Sequence, residues 1–528
     1  RVYPSQTPAV TAWITHAESS RPAAVVVRPR SADGARRSMR LVVALARLVS
    51  AAALLLLPLL LLSRFAGAQW FHKACPSRQL IGPSCQCSDK TKGLDVICER
   101  VERADRLRAS LAAVADAQHP VLYLKIKEVS LERFPPGLLD GLEISHLLIH
   151  HSNVSEIHLD AFRGVGDRLE SLDLSQNALE EVPTDSLQAL RSLVTLNLSY
   201  NRLRRVGAWA FRGLVSLLRL SLFGNRIVTL DAMAFQGVGG NLTVVNLGGN
   251  LLEQVPSESL QGVAVLQQLL LHENCIGELR PDRFPLEGGV LDILNLADNQ
   301  IQALPEAAFA RLGSLVSLEL ERNGLLDIHP DAFLGVHATM EWLKLGYNNL
   351  AAVPSEALQN LTALRELDLR GNNITAIPGD AFAGFGASLK FLYLQKNRVQ
   401  YIEAGAFDEM KSLEWLYLHS NEIVTLSYDV FKPLLGTLSI LDVHDNPFHC
   451  DCELSWLRLL LQGQSNIVVN QPRETRCASP EEHASTALVQ LPGMHCAAPS
   501  LLRLSSSSLL LLRTALAALA ALHGLVVS

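Results

Sequence analysis

The amino-acid sequence predicts an α/β solenoid, a horseshoe of about 14 coils of 24–25 residues with a parallel concave sheet and a disulfide cap at each end. Three observations carry this expectation. One leucine pattern recurs at a fixed period, a column of Phe and Leu keeps step with it, and cysteines gather in fours at the two ends.

The pattern is Leu-x-x-Leu-x-Leu-x-x-Asn-x-Leu, as in LESLDLSQNAL, LVTLNLSYNRL and LRELDLRGNNI. Its asparagines are Asn177, Asn201, Asn225, Asn250, Asn274, Asn299, Asn323, Asn348, Asn372, Asn397, Asn421 and Asn446, always 24 or 25 residues apart. A period of this size marks a repeat architecture in which each coil is one supersecondary unit. Two degenerate coils precede them, VLYLKIKEVSL and ISHLLIHHSNV, with Val129 and Ser152 in the asparagine place. Each coil contributes a short strand whose leucines point inward and whose alternate residues point outward. One coil alone cannot bury its apolar face; stacked coils share a core. The asparagine amide both donates and accepts, which suits it to the turn backbone between coils.

A Phe or Leu stands 14 or 15 residues before every ladder asparagine, from Phe162, Leu187 and Phe211 to Phe407 and Phe431. From each asparagine forward to the next of these the step is always ten, so the extra residue of a 25-residue coil falls in the connection on the convex side. Insertions are tolerated there. The strand side does not vary. The Phe/Leu column is expected to form a second spine, and fourteen strands at the usual spacing give a sheet about 60 Å long.

The chain divides as follows. Residues 1–38, rich in Arg, Ala and Pro without periodicity, read as an unstructured upstream extension. Residues 39–68 read as a signal peptide: Met39, Arg40 and Arg47 precede an apolar core, Val49 to Leu62, and Ala66-Gly67-Ala68 is a small-x-small cleavage site. The repeats occupy 120–446, flanked by cysteine-rich caps at 69–119 and 447–497; a linker at 498–508 and a hydrophobic anchor signal at 509–528 complete the chain. Within the front cap, Leu107, Leu111 and Val114 lie at helical spacing in ADRLRASLAAVA and predict a docking helix. Residues 1–68 hold nine Arg against Glu18 and Asp33, so the remainder carries 37 basic and 50 acidic residues. That balance of −13, against −6 for the whole chain, argues against nucleic acid and anionic lipid as partners.

An open solenoid needs capping, and in a secreted chain Cys75, Cys85, Cys87, Cys98 and Cys450, Cys452, Cys477, Cys496 read as disulfide staples. Each group of four allows three connectivities. Zinc is the weaker reading, because Cys-x-Cys is tighter than the usual knuckle. CPSRQLIGPSCQC with Cys98, and NPFHCDCELSWLRLLL with Cys477 and Cys496, resemble the flanks of the extracellular leucine-rich-repeat family, although the first gap is longer than usual. The resemblance implies first-to-third and second-to-fourth pairing: Cys75–Cys87, Cys85–Cys98, Cys450–Cys477 and Cys452–Cys496. Repeats, flanks and tail together resemble glycolipid-anchored cell-adhesion proteins of the connectin and chaoptin type. The tail, with small residues around Ser505 followed by an apolar run from Leu509, fits a lipid-anchor signal with Ser505 as the attachment site; a short transmembrane span and simple secretion are the other readings.

No nucleophile–base set, phosphate loop or zinc-helix motif is visible, so neither catalysis nor a metal or cofactor is expected. His146 and His150 are about 13 Å apart along a strand, too far to share a metal. Lone Cys275 reads as a small buried hydrophobe. The outward strand positions of coils ten to thirteen are more informative. They carry Trp342, Tyr347, Phe391, Tyr393, Trp415, Tyr417 and His419, beside Glu319, Glu321, Lys344, Glu366, Asp368 and Arg370. Outward Trp and Tyr are the residues of interface hot spots, so this patch is the expected partner-binding surface. The competing reading is that the rings stack across strands and only stabilise the sheet. Sequons mark Asn153, Asn197, Asn241, Asn360 and Asn373 for N-glycans. The expected function is therefore cell-surface adhesion on the outer face of the plasma membrane, through an extracellular protein partner or a second copy. A secreted non-catalytic subunit that stabilises an enzyme or carrier complex is the alternative.

Overall fold

A computed structural model of the chain describes residues 75–281, 284, 290–463 and 465–492. The expected extension, signal, linker and anchor, with Ser505 and Cys496, lie outside the described residues. All described residues belong to one compact unit, Lys73–Ser528.

The chain enters through a hairpin, β1 (Cys85–Lys90) antiparallel to β2 (Gly93–Glu99), with Cys85 opposite Cys98. Disulfides join Cys75 to Cys87 and Cys85 to Cys98, as the resemblance implied. Gly93 sits at φ +149°, where a Cβ would come within 2.5 Å of the Pro120 carbonyl oxygen; its absence lets the hairpin close on the first coil. The expected docking helix is α1 (Ala104–Ala115), built from good helix formers, with Leu107, Leu111 and Val114 all buried.

Fourteen coils follow, each giving one strand to the main sheet, from Val121–Lys127 in coil one to Ile440–Asp442 in coil fourteen. With β1, β2 and Val468–Val469 they form a 17-stranded sheet. Register is strict: Leu172 pairs with Leu196, Leu196 with Leu220, and so on to Leu441. The central leucine is buried while its neighbours are half-buried on the concave face, the alternation a one-sided sheet requires.

The asparagines do the work expected of them. The Asn299 side-chain amide donates to the carbonyls of Leu296 (3.0 Å) and of Leu271 in the previous coil (2.9 Å), and its oxygen accepts from the Ile276 N–H at 3.0 Å. The same three bonds recur at Asn225 and at Asn446. In degenerate coil two, Ser152 accepts from the Val129 N–H at 3.1 Å and supplies part of this bonding.

The convex spine forms as well. Phe211 stacks on Phe235, Phe309 on Phe333 and Phe382 on Phe407, with centroids about 6 Å apart. In coil one Phe134 pairs in register with Ile157, outside the Phe/Leu column, and its ring packs against Phe162 from there. Where Leu187, Leu260 and Leu358 replace Phe, the preceding Val-Pro-Ser/Thr opens a four-residue helix: Thr184–Leu187, Ser257–Leu260 and Ser355–Leu358. At the far end Trp456, on α2 (Ser455–Leu461), receives the spine; its ring packs on Phe431 and its N–H donates to the Leu426 carbonyl at 2.9 Å. A disulfide joins Cys450 to Cys477. Cys452 is also disulfide-bonded.

Replacing Asn299 by Ala leaves buried backbone groups of two coils unsatisfied and should cost on the order of 3 kcal/mol in denaturant unfolding. Exposed Asn349, with a single bond at 3.5 Å, is the control: its Ala variant should cost under about 0.5 kcal/mol, and equal losses at both sites would refute the ladder account.

Candidate functional site

Parallel register turns outward residues into columns running along the solenoid. The first column of the late coils is Ser317, Trp342, Glu366, Phe391, Trp415 and Ile440. The second is Glu319, Lys344, Asp368, Tyr393, Tyr417 and Asp442. Five of the seven candidate residues, Trp342, Phe391, Tyr393, Trp415 and Tyr417, are therefore strand residues, all half-buried.

Strand spacing is close to ring-stacking distance, so aromatics in one column meet. Phe391 and Trp415 lie 4.5 Å apart, tilted by 52°; Tyr393 and Tyr417 stack at 5.2 Å and 16°. The patch thus holds two ordered ring pairs, one tilted and one stacked.

Two expectations need correction. Tyr347 and His419 are not strand residues: the strands end at Lys344 and Tyr417. Tyr347 occupies the turn residue before the ladder asparagine, in the left-handed conformation at φ +55°. Its ring lies across Gly371 of the next coil, where a Cβ would be 2.5 Å away, with Arg322 and Arg370 at 5.1 and 5.6 Å from its centroid. His419 stacks on His444 at 4.5 Å, and its Nδ1 is 3.1 Å from the Ser420 hydroxyl. Ser420 donates directly to Asp445 at 2.9 Å. This order lacks the base between hydroxyl and carboxylate that a catalytic triad needs.

Charged residues fill the space between Trp342 and the ring stacks. Lys344 bonds Glu319 at 2.6 Å, and Arg370 reaches back two coils to Glu321 at 2.8 Å. Arg370 Nε is also 3.0 Å from Asp368 Oδ2, an ion pair without hydrogen-bond alignment. Burial pushes the Asp368 carboxyl up to about 6, although its backbone bond and Arg370 oppose the shift. Burial, with the field of Glu366, pushes the Tyr393 hydroxyl up to about 12. For Lys344 burial works against the charge, but the bond to Glu319 and the fields of Glu319, Glu321 and Glu366 together outweigh it and hold the ammonium above its ordinary range.

An earlier aromatic group escaped the sequence reading. Phe223 of coil five and His272 of coil seven stack at 5.3 Å across the coil between them. They meet because that coil carries Gly248 just past its strand, where a Cβ would lie 2.5 Å from the His272 ring. Tyr200 meets Phe223 edge-on at 5.3 Å. The signal was the Gly248-Gly249 pair flanked by Phe223 and His272.

The sequon residues Asn153, Asn241 and Asn360 are exposed, and Asn197 and Asn373 half-buried. The Asn197 amide donates to Asp173 at 3.0 Å. Cys275, expected to be buried, is half-buried, because it follows the ladder asparagine at the outer edge of the coil. His146 stacks on Tyr123 at 4.5 Å, and His150 faces His151.

The fold and its columns define a class: a solenoid of leucine-rich repeats. The leucine rich repeat family model matches residues 143–203, 191–240, 290–341, 338–398 and 387–448. A leucine-rich-repeat protein of Leptospira interrogans is similar in structure at 22% identity and a TM-score of 0.53, over 68% of this chain and 91% of that one. Drosophila Toll, solved in complex with Spatzle, is similar at 19% identity and a TM-score of 0.52, over 75% of this chain and 57% of Toll. At these identities the likeness is one of fold. Among curated sequences, human (Homo sapiens) platelet glycoprotein IX is 44% identical over 59 residues, 11% of this chain and 32% of that protein. The mouse (Mus musculus) immunoglobulin superfamily containing leucine-rich repeat protein 2 is 38% identical over 64 residues, 12% of this chain and 8% of that protein. The chain therefore aligns with less than a third of either relative.

The raised Asp368 carboxyl contributes stability that is present when it is protonated and lost as pH rises through about 6. Its share of the fall between pH 4 and 7 is on the order of 1–3 kcal/mol. Asp368→Asn should remove that share in urea unfolding at pH 4, 5.5 and 7. Superimposable pH profiles for variant and parent would contradict the assignment.

Proposed function

We propose that the chain is a cell-surface adhesion protein that binds an extracellular protein, or a second copy of itself, on the concave face of coils ten to thirteen. In this reading it is held at the outer plasma membrane by a lipid anchor at Ser505, in the manner of the connectin and chaoptin type. One observation carries it: Trp342, Phe391, Tyr393, Trp415 and Tyr417 remain half-open on the concave face, although burial in the core was available on the other side of the same strands. Large amphipathic rings next to mixed charge are what interface hot spots are made of. Their stacking fixes the rings before a partner arrives, which lowers the entropy lost on binding. Tyr347, His419 and the Arg370 pairs border the patch and serve as its polar rim. Glycans on Asn153, Asn197, Asn241, Asn360 and Asn373 belong to the same extracellular reading.

Trp415→Ser combined with Tyr417→Ser should reduce cell aggregation and soluble-ectodomain binding at least tenfold, with secretion and thermal unfolding near those of the parent. Undiminished binding would remove this patch as the working surface. Stoichiometric co-purification with a soluble enzyme, without aggregation, would favour the subunit reading instead.

A further inference from the structure

The charge of the solenoid is not spread evenly. From Ser186 to Leu230 the sequence carries seven Arg and no Asp, Glu or Lys, in a chain whose net charge is −6. All seven arginines are exposed. Arg205 and Arg212 are held by acids of the preceding coil, Glu181 at 3.3 Å and Asp185 at 2.6 Å. Arg202, Arg204 and Arg226 have no ion pair among the described residues. They leave the same edge of the sheet. Arg202 and Arg226 each follow a ladder asparagine in neighbouring coils, and the Arg226 and Val228 N–H groups donate to the Leu203 and Arg204 carbonyls at 2.9 and 3.0 Å. The segments carrying the three guanidinium groups therefore run side by side, and no carboxylate lies between them in the sequence.

We propose that this edge of coils four and five binds a sulfated polysaccharide through Arg202, Arg204 and Arg226. Only Arg is used, and its planar fork donates to the paired oxygens of a sulfate better than the point charge of Lys does. The positive charge does not lie in one plane: Arg219 opens the coil-five strand on the concave face, while Arg212 lies on the convex side. A flat membrane meets one side of a solenoid, whereas a linear polyanion can follow charge around it. The same coils also change character on the convex side. The position two residues before the spine Phe or Leu is acidic in eight of the twelve regular coils, but here it holds Trp209 and Met233, 44% and 46% exposed and adjacent through a Trp209 N–H bond to the Met233 carbonyl. Tyr200, 48% exposed, lies across Gly224 beside the arginines. Such rings offer apolar faces to a sugar chain. The choice of a polysaccharide over RNA rests on the extracellular location argued above; the arginine edge itself does not depend on the concave patch.

The test uses the full secreted chain and a size-defined heparin oligosaccharide at 150 mM salt. Arg202→Ser, Arg204→Ser and Arg226→Ser combined should weaken binding at least tenfold and flatten its salt dependence, the response expected when phosphate-like contacts are removed. Chemically desulfated heparin should bind the parent at least tenfold more weakly. The Trp415→Ser, Tyr417→Ser variant should bind heparin like the parent, which separates this site from the concave patch. Arg322→Ser with Arg365→Ser is the control for removal of surface charge elsewhere and should also leave binding unchanged. Absence of heparin binding, parental affinity in the triple variant, or tighter binding of single-stranded RNA or phosphatidylserine vesicles than of heparin would each overturn the proposal.

Discussion

Twelve of the fourteen coils turn at an asparagine whose amide satisfies backbone groups on two coils at once. A turn inside a stack cannot reach water, and an unpaired buried carbonyl or N–H costs more than a typical hydrogen bond contributes. Asn is the short side chain that supplies donor and acceptor together. Eleven of the twelve ladder asparagines are buried, and Asn323, beside Gly324, is half-buried yet keeps the same three bonds. The consequence is geometric. Each ladder bond fixes a coil against its neighbour, so the strands stay in register and outward residues far apart in sequence fall into straight columns.

Those columns are what makes a site from scattered positions. Phe391 and Trp415 are 24 residues apart in sequence, yet their rings are 4.5 Å apart. The same register places Arg370 within reach of Glu321, 49 residues earlier. Glycine extends the reach: Gly248 allows Phe223 and His272 to meet over an intervening coil, and Gly371 makes room for Tyr347. Stacking across strands and recognition of a partner, which sequence reading sets against each other, are compatible. Rings that stabilise one another are also rings already placed for contact.

Periodicity made most of the fold legible. The count of fourteen coils, the inward leucines, the ladder, the Phe spine, the docking helix over Ala104–Ala115 and the described disulfides all follow from residue spacing or from the flank resemblance. Features set by what lies beside a residue in another coil were harder to read. His419 has the alternate spacing of an outward strand residue, but its strand ends at Tyr417, and Tyr347 belongs to the left-handed turn before its ladder asparagine. Phe134 meets the spine ring of Phe162 from the neighbouring Ile157 column, a contact between columns that the Phe/Leu spacing does not reveal. The Phe223–His272 contact skips a coil, and no pattern confined to one period reveals it.

A new glycan on the patch offers the most direct check that the concave columns of coils twelve and thirteen are the working surface. Lys396 is exposed and left-handed at φ +58°, a conformation Asn adopts readily, and Lys396→Asn with Arg398→Ser places a sequon there beside ladder residue Asn397. Binding of the purified, glycan-occupied ectodomain to expressing cells should fall at least tenfold, while a sequon engineered on the convex side leaves it intact. Full binding with the glycan at residue 396 verified by mass would contradict the account.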